Sequence, residues 1–271
     1  MSKKLSLHRD LEPTEYHEGF KEFLARTDQK HVSLEWFKVH FNNRTDIKRV
    51  LSIGCGEGSF DLLLLKILPN VQTYVGIDPN PSHISTFQHR YENESRPSYP
   101  SMRLVEARFE EVGLSPEVDV ELLQQDFEDF RTDQRYDLII MSHVLYYIPQ
   151  RKFALSKACT LLNDDGILIV LHKTERGIYA LQKRYGRTRH SYNAVELAKD
   201  LDTLGIPYCY EELDSYVNLD EISAPLIRFF LKGAVTKWQA DDVRQYLLRQ
   251  YPEKQLPHPI GIFVISAHDL R

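Results

Sequence analysis

Cysteine is scarce in this chain of 271 residues, whose three cysteines, Cys55, Cys159 and Cys209, lie far apart without a C-x-x-C pair. This scarcity argues against a disulfide framework and against a zinc site. Long apolar runs are absent too, since none approaches the roughly 20 residues needed to cross a bilayer. The N-terminus is polar and charged, without the apolar core of a signal peptide. We therefore expect a cytoplasmic protein without a membrane partner.

An excess of basic residues is also lacking. The formal net charge is -5, and the composition, with 42% hydrophobic and 27% charged residues, is ordinary for a soluble protein. Such mild acidity does not indicate a nucleic-acid partner. The length permits a full α/β core in one large domain or two small ones. We expect a monomer or a weak dimer whose partner is a small molecule.

The most informative stretch combines a strand, a tight turn and a helix start. Residues Val50–Ser59 read V-L-S-I-G-C-G-E-G-S, with Gly54, Gly56 and Gly58 at alternate positions, and the apolar helical run Phe60–Leu68 follows. Glycines in such a turn adopt backbone angles that are closed to other residues, and they let a ligand approach the main chain. A close-packed turn without any ligand is the structural alternative.

An acidic residue ends the next predicted strand. Tyr74–Ile77 is followed by Asp78, twenty residues after Gly58. In nucleotide-binding α/β folds an acid at this place accepts hydrogen bonds from ribose hydroxyls. The turn has neither the dinucleotide spacing G-x-G-x-x-G nor the Lys-Ser or Lys-Thr pair of a phosphate loop. These absences favour an adenosine ligand without phosphates, and S-adenosylmethionine is the leading candidate.

Two later strands also end in candidate site residues. Alternating apolar residues from Val118 to Leu122 predict a third strand that leads to Asp126, which is either an adenine contact or a solvated loop acid. The apolar run Tyr136–Met141 predicts a buried parallel strand. Its carboxyl end delivers three side chains to the sheet edge where open α/β folds bind ligands: His143, Tyr146 and Tyr147.

These features together resemble a class I S-adenosylmethionine-dependent methyltransferase, and more narrowly the sequence is similar to the histamine N-methyltransferase family. The resemblance implies an α/β, Rossmann-like fold: a seven-stranded, mostly parallel sheet with helices on both faces and an N-terminal helical cap. Residues 1–45 would form a helical segment that covers the site. Residues 46–271 would form the methyltransferase domain, with substrate-pocket insertions around 173–258. The motifs involved are Leu51-Ser52-Ile53-Gly54, Leu145-Tyr146-Tyr147, Lys183-Arg184-Tyr185-Gly186 and Phe263-Val264-Ile265.

The same resemblance implies roles for individual residues. The early acid that holds the substrate falls on Asp28 or Gln29, and two amides of the family are replaced by His143 and His258. The proposed catalytic residues are His143 and Tyr147. The cofactor-binding set is Gly54, Gly56, Gly58, Asp78, His83, Asp126 and Ser142. The substrate-binding set is Tyr16, Phe20, Asp28, His143, Tyr146, Tyr147, Ile178, Gln182 and His258, where Ile178 and Gln182 stand in place of two bulky aromatics.

The predicted reaction is in-line methyl transfer from S-adenosylmethionine to nitrogen of a small imidazole, amine or amino-acid-like molecule. Most of its catalysis would come from positioning and desolvation. One alternative is a small-molecule C- or O-methyltransferase, for example on an indole-bearing natural product. Another is a nucleoside-binding protein without catalysis. His143 has a structural alternative as well, in which it only satisfies a neighbouring backbone group. Core packing is the structural alternative for at least one of the two tyrosines.

Overall fold

The computed structural model describes residues 11–94, 118–185, 192–233 and 236–270. They fall into two compact units. The sheet unit draws on Lys30–His172, Glu196–Glu211 and Gly261–Arg271, and the helical unit on Met1–Gln29, Lys173–Val195 and Glu212–Ile260. Over the described ranges, every helix is too short or too polar to span a bilayer.

The described residues form nine strands, nine α-helices and a 3-10 helix. The strands are β1 Arg49–Ile53, β2 Thr73–Ile77, β3 Asp119–Leu123, β4 Tyr136–Ser142, β5 Leu162–Lys173, β6 Cys209–Leu213, β7 Tyr216–Asn218, β8 Gln255–Pro257 and β9 Ile260–Ser266. The helices are α1 Pro13–Arg26, α2 Gln29–Phe41, α3 Asp61–Ile67, α4 Pro81–Glu94, α5 Arg151–Thr160, α6 Ile178–Arg184, α7 Ala194–Leu204, α8 Ala224–Leu231 and α9 Lys237–Gln250, with a 3-10 helix at Ala267–Leu270.

Seven strands form one sheet in the order β3-β2-β1-β4-β5-β9-β6. The central strand β1 pairs in parallel with both neighbours, and Ile53 lies opposite Ile77 of β2 and Met141 of β4. The carboxyl ends of these strands therefore coincide at one sheet edge. Their side chains are almost fully buried because helices cover parallel sheets, which explains the continuous apolar runs. The predicted seven-stranded, mostly parallel sheet is confirmed.

The helical unit has a core of its own. Its members come from α1, α6, α8, α9 and the antiparallel pair β7-β8. Fully buried side chains at its centre include Val217, Leu226, Phe230 and Val243. Contact between α8 and α9 buries apolar residues spaced three and four apart, which is the pattern of a helix with one apolar face.

Several element bounds differ from the sequence-based predictions. The sequence N-D-D-G at 163–166 predicts a turn ahead of a strand that begins at Ile167, whereas β5 begins at Leu162 and contains these four residues. The sequence also predicts helical residues from Ile222 to Leu248, and the structure interrupts them after α8, where Lys232 has φ 50°. The three-residue strands β7 and β8 were too short to leave an alternating pattern. The polar, proline-containing stretch 93–100 predicts a loop, but its first two residues belong to α4 and the others lie outside the described residues. The division at residue 45 stays a prediction.

Candidate functional site

The glycine turn is held against the end of β2. The backbone N–H groups of Gly54 and Cys55 both donate to the carbonyl of Ile77, at 2.7 and 3.1 Å. Gly58 N–H donates to the Cys55 carbonyl at 3.1 Å, and α3 begins three residues later. The turn therefore presents main chain at the carboxyl edge of the sheet, as its sequence predicts.

The three glycines of this turn serve different purposes. All have positive φ, at 74° for Gly54, 55° for Gly56 and 74° for Gly58. A Cβ on Gly54 would lie 2.3 Å from Val144, and one on Gly58 would lie 2.4 Å from the Phe87 ring. At Gly56 no atom of the described chain lies within 4 Å of such a Cβ. Packing thus requires Gly54 and Gly58, while Gly56 borders open space that a ligand bound to the main chain can fill.

Asp78 connects this open position to the second strand. Its Oδ2 accepts the backbone N–H of Gly56 at 3.0 Å, and its Oδ1 accepts the N–H of Asn80 at 2.9 Å. His83 Nδ1 lies 3.1 Å from the same Oδ1. Because a carboxylate has about four lone-pair sites, these three contacts leave capacity for a further donor. A ribose hydroxyl fits this requirement.

A buried polar network lies beneath the turn, and sequence reasoning missed it. Tyr74 OH donates to Asp61 Oδ1 at 2.8 Å, and Ser52 hydrogen-bonds the same carboxyl group. Burial raises the Asp61 pKa to about 6, partly offset by these two hydrogen bonds. Burial, with the nearby charges of Asp61 and Asp78, raises the pKa of the Cys55 thiol. Two features of the sequence could have indicated this network: an acid at the start of a leucine-rich helix and a tyrosine in a buried strand.

The end of β4 places two predicted site residues, Ser142 and His143, next to the glycine turn. Ser142 follows Met141, which pairs with the residue before Gly54, and both Ser142 and His143 are half-buried. His143 has φ 52° and donates its backbone N–H to the Leu171 carbonyl at 2.9 Å. A left-handed non-glycine residue is uncommon, and such conformations cluster at functional sites.

Two tyrosines follow His143 at this edge. The rings of Tyr146 and Tyr147 meet edge to face with centroids 4.5 Å apart, and Tyr146 also stacks on His172 at 5.5 Å. Tyr147 is 62% exposed, whereas the preceding Leu145 is fully buried. Core packing therefore explains Leu145 but not Tyr147, whose ring is available to a ligand.

Asp126 lies on an exposed turn after β3. Its carbonyl accepts the N–H of Asp129 at 3.1 Å. Asp78 N–H donates to the carbonyl of Leu123, the last residue of β3, at 3.1 Å. Asp78 and Asp126 therefore both lie just beyond the carboxyl ends of neighbouring parallel strands, β2 and β3, at the same edge of the sheet.

The remaining predicted substrate residues belong to the helical unit. Tyr16 and Phe20 lie in an aromatic cluster in which both rings contact Phe229, with centroid distances of 5.3 and 5.7 Å. Phe23 continues the cluster and meets the His258 ring edge to face at 5.8 Å. Tyr16 and Phe20 are half-buried. The cluster thus combines packing with partly accessible aromatic surface.

Asp28 and Gln29 have separate surroundings. Asp28 Oδ1 accepts the backbone N–H of Tyr216 at 2.7 Å, at the edge of β7. Gln29 is buried and donates its Nε2 to the His258 carbonyl at 3.0 Å. Ser215 Oγ donates to that carbonyl too, at 2.9 Å. Of the two residues left open by the sequence, Gln29 is the one in contact with His258.

Ile178 and Gln182 lie one turn apart on α6. Ile178 is part of the core, and its backbone N–H points to His258 Nδ1 at 3.5 Å. Gln182 is buried, and its Nε2 donates to the Phe230 carbonyl at 2.7 Å. Both residues pack inside the helical unit.

The sequence model of the methyltransferase domain family matches residues 13–206. The chain belongs to this family. The trans-aconitate 2-methyltransferase of Enterobacter sp. (strain 638) is 23% identical over an alignment of 227 positions, and the match covers 76% of this chain and 79% of that protein.

Solved structures show the same fold. The N-methyltransferase NodS from Bradyrhizobium japonicum WM9, in complex with S-adenosyl-L-homocysteine, is similar with a TM-score of 0.50 and 17% identity, covering 93% of this chain and 97% of that chain. The plantazolicin methyltransferase BpumL, in complex with a triazolic desmethylPZN analog and S-adenosyl-L-homocysteine, gives 0.51 and 14%, covering 93% and 88%. The predicted class I methyltransferase fold and the predicted S-adenosylmethionine-dependent methyltransferase are confirmed at the level of the family.

Proposed function

We propose that this methyltransferase transfers a methyl group to nitrogen of a small imidazole, amine or amino-acid-like molecule. The observation that supports this acceptor class is the segment after β4. Residues 142–149 read S-H-V-L-Y-Y-I-P and contain neither a carboxylate nor a lysine or arginine. An exposed aromatic ring and a histidine suit a neutral amine or a heteroaromatic ring better than a polyanion.

The cofactor is S-adenosylmethionine, and the glycine turn supports its placement. The open space at Gly56 would take the ligand against the main chain, and Asp78 would accept ribose hydroxyl hydrogens. His83 and Ser142 would complete the contacts at this edge, and Asp126 would meet the adenine amino group. When bound, the cofactor supplies an electrophilic methyl group.

The residues of the chain then contribute positioning. Tyr147, with Tyr146 behind it, would form a wall that orients the acceptor, so that its lone pair lies in line with the methyl group. His143 would bind the acceptor or keep it unprotonated, because imidazole changes charge near neutral pH. No metal is required, since the acceptor nitrogen is itself a nucleophile.

Residues of the helical unit enter the proposal through the resemblance to the histamine N-methyltransferase family. Tyr16 and Phe20 would contribute aromatic surface, and His258, whose ring meets that of Phe23, would contribute its imidazole. Asp28, Ile178 and Gln182 are the remaining members of this proposed set. Substitution of the family's two amides by His143 and His258 argues that the acceptor is not histamine itself.

Oxygen or carbon as the methylated atom is the competing hypothesis. The name of the trans-aconitate 2-methyltransferase indicates an acid as that relative's substrate. An oxygen or carbon acceptor would use the same cofactor contacts and would change only the acceptor pocket. The uncharged segment 142–149 is the feature that favours nitrogen over a polycarboxylate.

A mass-shift screen tests the proposal. The protein is first titrated with S-adenosylhomocysteine by calorimetry and then incubated with S-adenosylmethionine and separate panels of imidazoles, amines, amino acids, indoles, phenols and polycarboxylic acids. Gain of one methyl mass by an imidazole, amine or amino acid, with the methyl on nitrogen by NMR, supports it. Methylation confined to acids, phenols or carbon would refute the nitrogen assignment. Cofactor binding without any product across all panels would favour a non-catalytic protein.

A further inference from the structure

Lys157, in α5, binds three backbone carbonyls of the turn that contains Asp126. Lys157 Nζ donates to the carbonyls of Phe127 at 2.6 Å, Glu128 at 3.2 Å and Phe130 at 2.5 Å. An ammonium group has three hydrogens, so the whole donor capacity of Lys157 is directed at this turn. No sequence pattern connects residue 157 with residues 127–130.

Aromatic rings hold the ammonium group in place. Lys157 Nζ lies 4.6 Å from the centroid of the Phe127 ring and 5.9 Å from that of Phe130. Both rings are almost fully buried. Partial burial lowers the Lys157 pKa, and the charge of Arg131 adds to this effect. A cation in such a place is retained because three carbonyl dipoles and the neighbouring aromatic rings, Phe153 among them at 5.9 Å, stabilise it.

The turn has few hydrogen bonds of its own. Asp129 N–H donates to the Asp126 carbonyl, and Phe130 N–H donates to the Phe127 carbonyl, at 3.1 and 3.2 Å. Arg131 shares two of the carbonyls, those of Glu128 and Phe130. The Phe127 carbonyl, next to Asp126, accepts a hydrogen bond from the Lys157 ammonium, whereas Arg131 donates to the carbonyls of Glu128 and Phe130. Lys157 is therefore the side chain that ties the Asp126 end of the turn to α5.

We propose that Lys157 is a positioning residue for the cofactor's base: it fixes the 126–130 turn so that Asp126 and the adjoining main chain recognise the adenine ring. The inference rests on the proposed contact between Asp126 and the adenine amino group. The turn leaves β3 beside Asp78, whose N–H binds the Leu123 carbonyl. Base and ribose recognition would therefore share one edge of the sheet.

The positioning role of Lys157 predicts a specific effect on the preference for adenine over a 6-oxo base. An acid at Asp126 accepts a hydrogen bond from the 6-amino group of adenine and rejects a 6-oxo group, which has no hydrogen to donate there. A loose turn would lose this discrimination, because the acceptor would no longer be held at a fixed place. Lys157 would thus affect the selectivity for the base more than the affinity for the rest of the cofactor.

The test compares two ligands on each variant by calorimetry: S-adenosylhomocysteine and its inosine counterpart, in which the 6-amino group is an oxo group. For the unmodified protein we expect about tenfold preference or more for the adenine ligand. Lys157→Met keeps the apolar stem but loses all three donors. It should weaken adenine-ligand binding about tenfold and bring the ratio of the two dissociation constants close to one. Lys157→Arg, which retains charge and donors, should keep most of the preference.

Controls separate this role from general stability. Lys152→Met removes an exposed lysine of the same helix, which pairs with Asp200 at 3.4 Å, and should leave the ratio unchanged. The ratio does not depend on the fraction of protein that is active, so partial unfolding does not mimic the effect. Should Lys157→Met fail to fold, Lys157→Gln is measured for the same ratio.

Asp126→Ala separates the positioning role of Lys157 from the proposed contact between Asp126 and adenine, on which that role rests. If Asp126→Ala abolishes the base preference but Lys157→Met and Lys157→Gln retain it, the positioning role is wrong and the adenine contact stands. If Asp126→Ala leaves the preference intact, the adenine contact and the role of Lys157 are both overturned. Loss of preference in both variants supports the inference.

Discussion

The backbone N–H of Gly56 donates to the carboxylate of Asp78 across 3.0 Å. The open position of the glycine turn and the acid at the end of β2 are therefore one structural unit and not two separate motifs. A ligand that sits over Gly56 comes within reach of the remaining lone pairs of Asp78. The cofactor-binding proposal can be tested at each end of this hydrogen bond.

The first prediction concerns Gly56→Ala. Gly56 has φ 55° and open space where a Cβ would lie, so alanine costs about 1 kcal/mol of backbone strain without a clash inside the protein. If the cofactor fills that space, affinity for S-adenosylhomocysteine should fall at least about tenfold. Calorimetry and thermal unfolding measure the two effects separately.

Gly205→Ala is the matched control, because Gly205 has φ 64° and equally open surroundings. The two variants should lose similar stability, and only Gly56→Ala should lose cofactor affinity. Equal cofactor affinities in the two variants would mean that the ligand does not approach Gly56.

The second prediction concerns Asp78→Asn. The amide nitrogen would face the N–H of Gly56 or of Asn80, so one acceptor is lost and the turn loses its link to β2. We expect about hundredfold weaker binding of S-adenosylhomocysteine, and a smaller preference for ribose over 2′-deoxyribose in the ligand. Asp133→Asn, at an exposed residue before β4, serves as the control. An unchanged ribose preference would place the hydroxyls elsewhere.

Much of this site could be predicted from the sequence, because a strand, a glycine turn and a following acid are local patterns. Apolar runs located the strands, and the turn located the edge where they end. The sequence could not tell Gly56 from Gly54, because the difference depends on Val144, ninety residues away. Lys157 and Asp61 were missed for the same reason: each acts through partners that only the folded chain brings near.

The third prediction concerns Tyr147→Ala. Because the ring is 62% exposed, its loss should leave thermal stability and S-adenosylhomocysteine affinity unchanged. If the ring orients the acceptor, KM for the acceptor found in the screen should rise about tenfold. Tyr210→Ala, at a half-exposed tyrosine of β6 that packs on Phe263, is the comparison. Equal kinetics in Tyr147→Ala and the unmodified enzyme would remove Tyr147 from the acceptor site.

The last prediction concerns the pH dependence of stability, through Asp61. Burial raises its pKa to about 6, above the ordinary 3.8. The folded state thus holds this proton more tightly than the unfolded state does. The resulting stabilisation is fully present below the unfolded value and is lost as pH rises through the folded value, a change of about 3 kcal/mol.

Asp61→Asn removes the titration while keeping the size of the side chain. Relative to this variant, the unmodified protein should lose stability between pH 4 and pH 7, as measured by urea unfolding at each pH. Asp46→Asn should show the opposite sign, because the hydrogen bond from Arg44 lowers the Asp46 pKa. Parallel pH curves for the unmodified protein and Asp61→Asn would show that folding does not raise the Asp61 pKa, and direct titration by carboxyl NMR would then place it near 3.8.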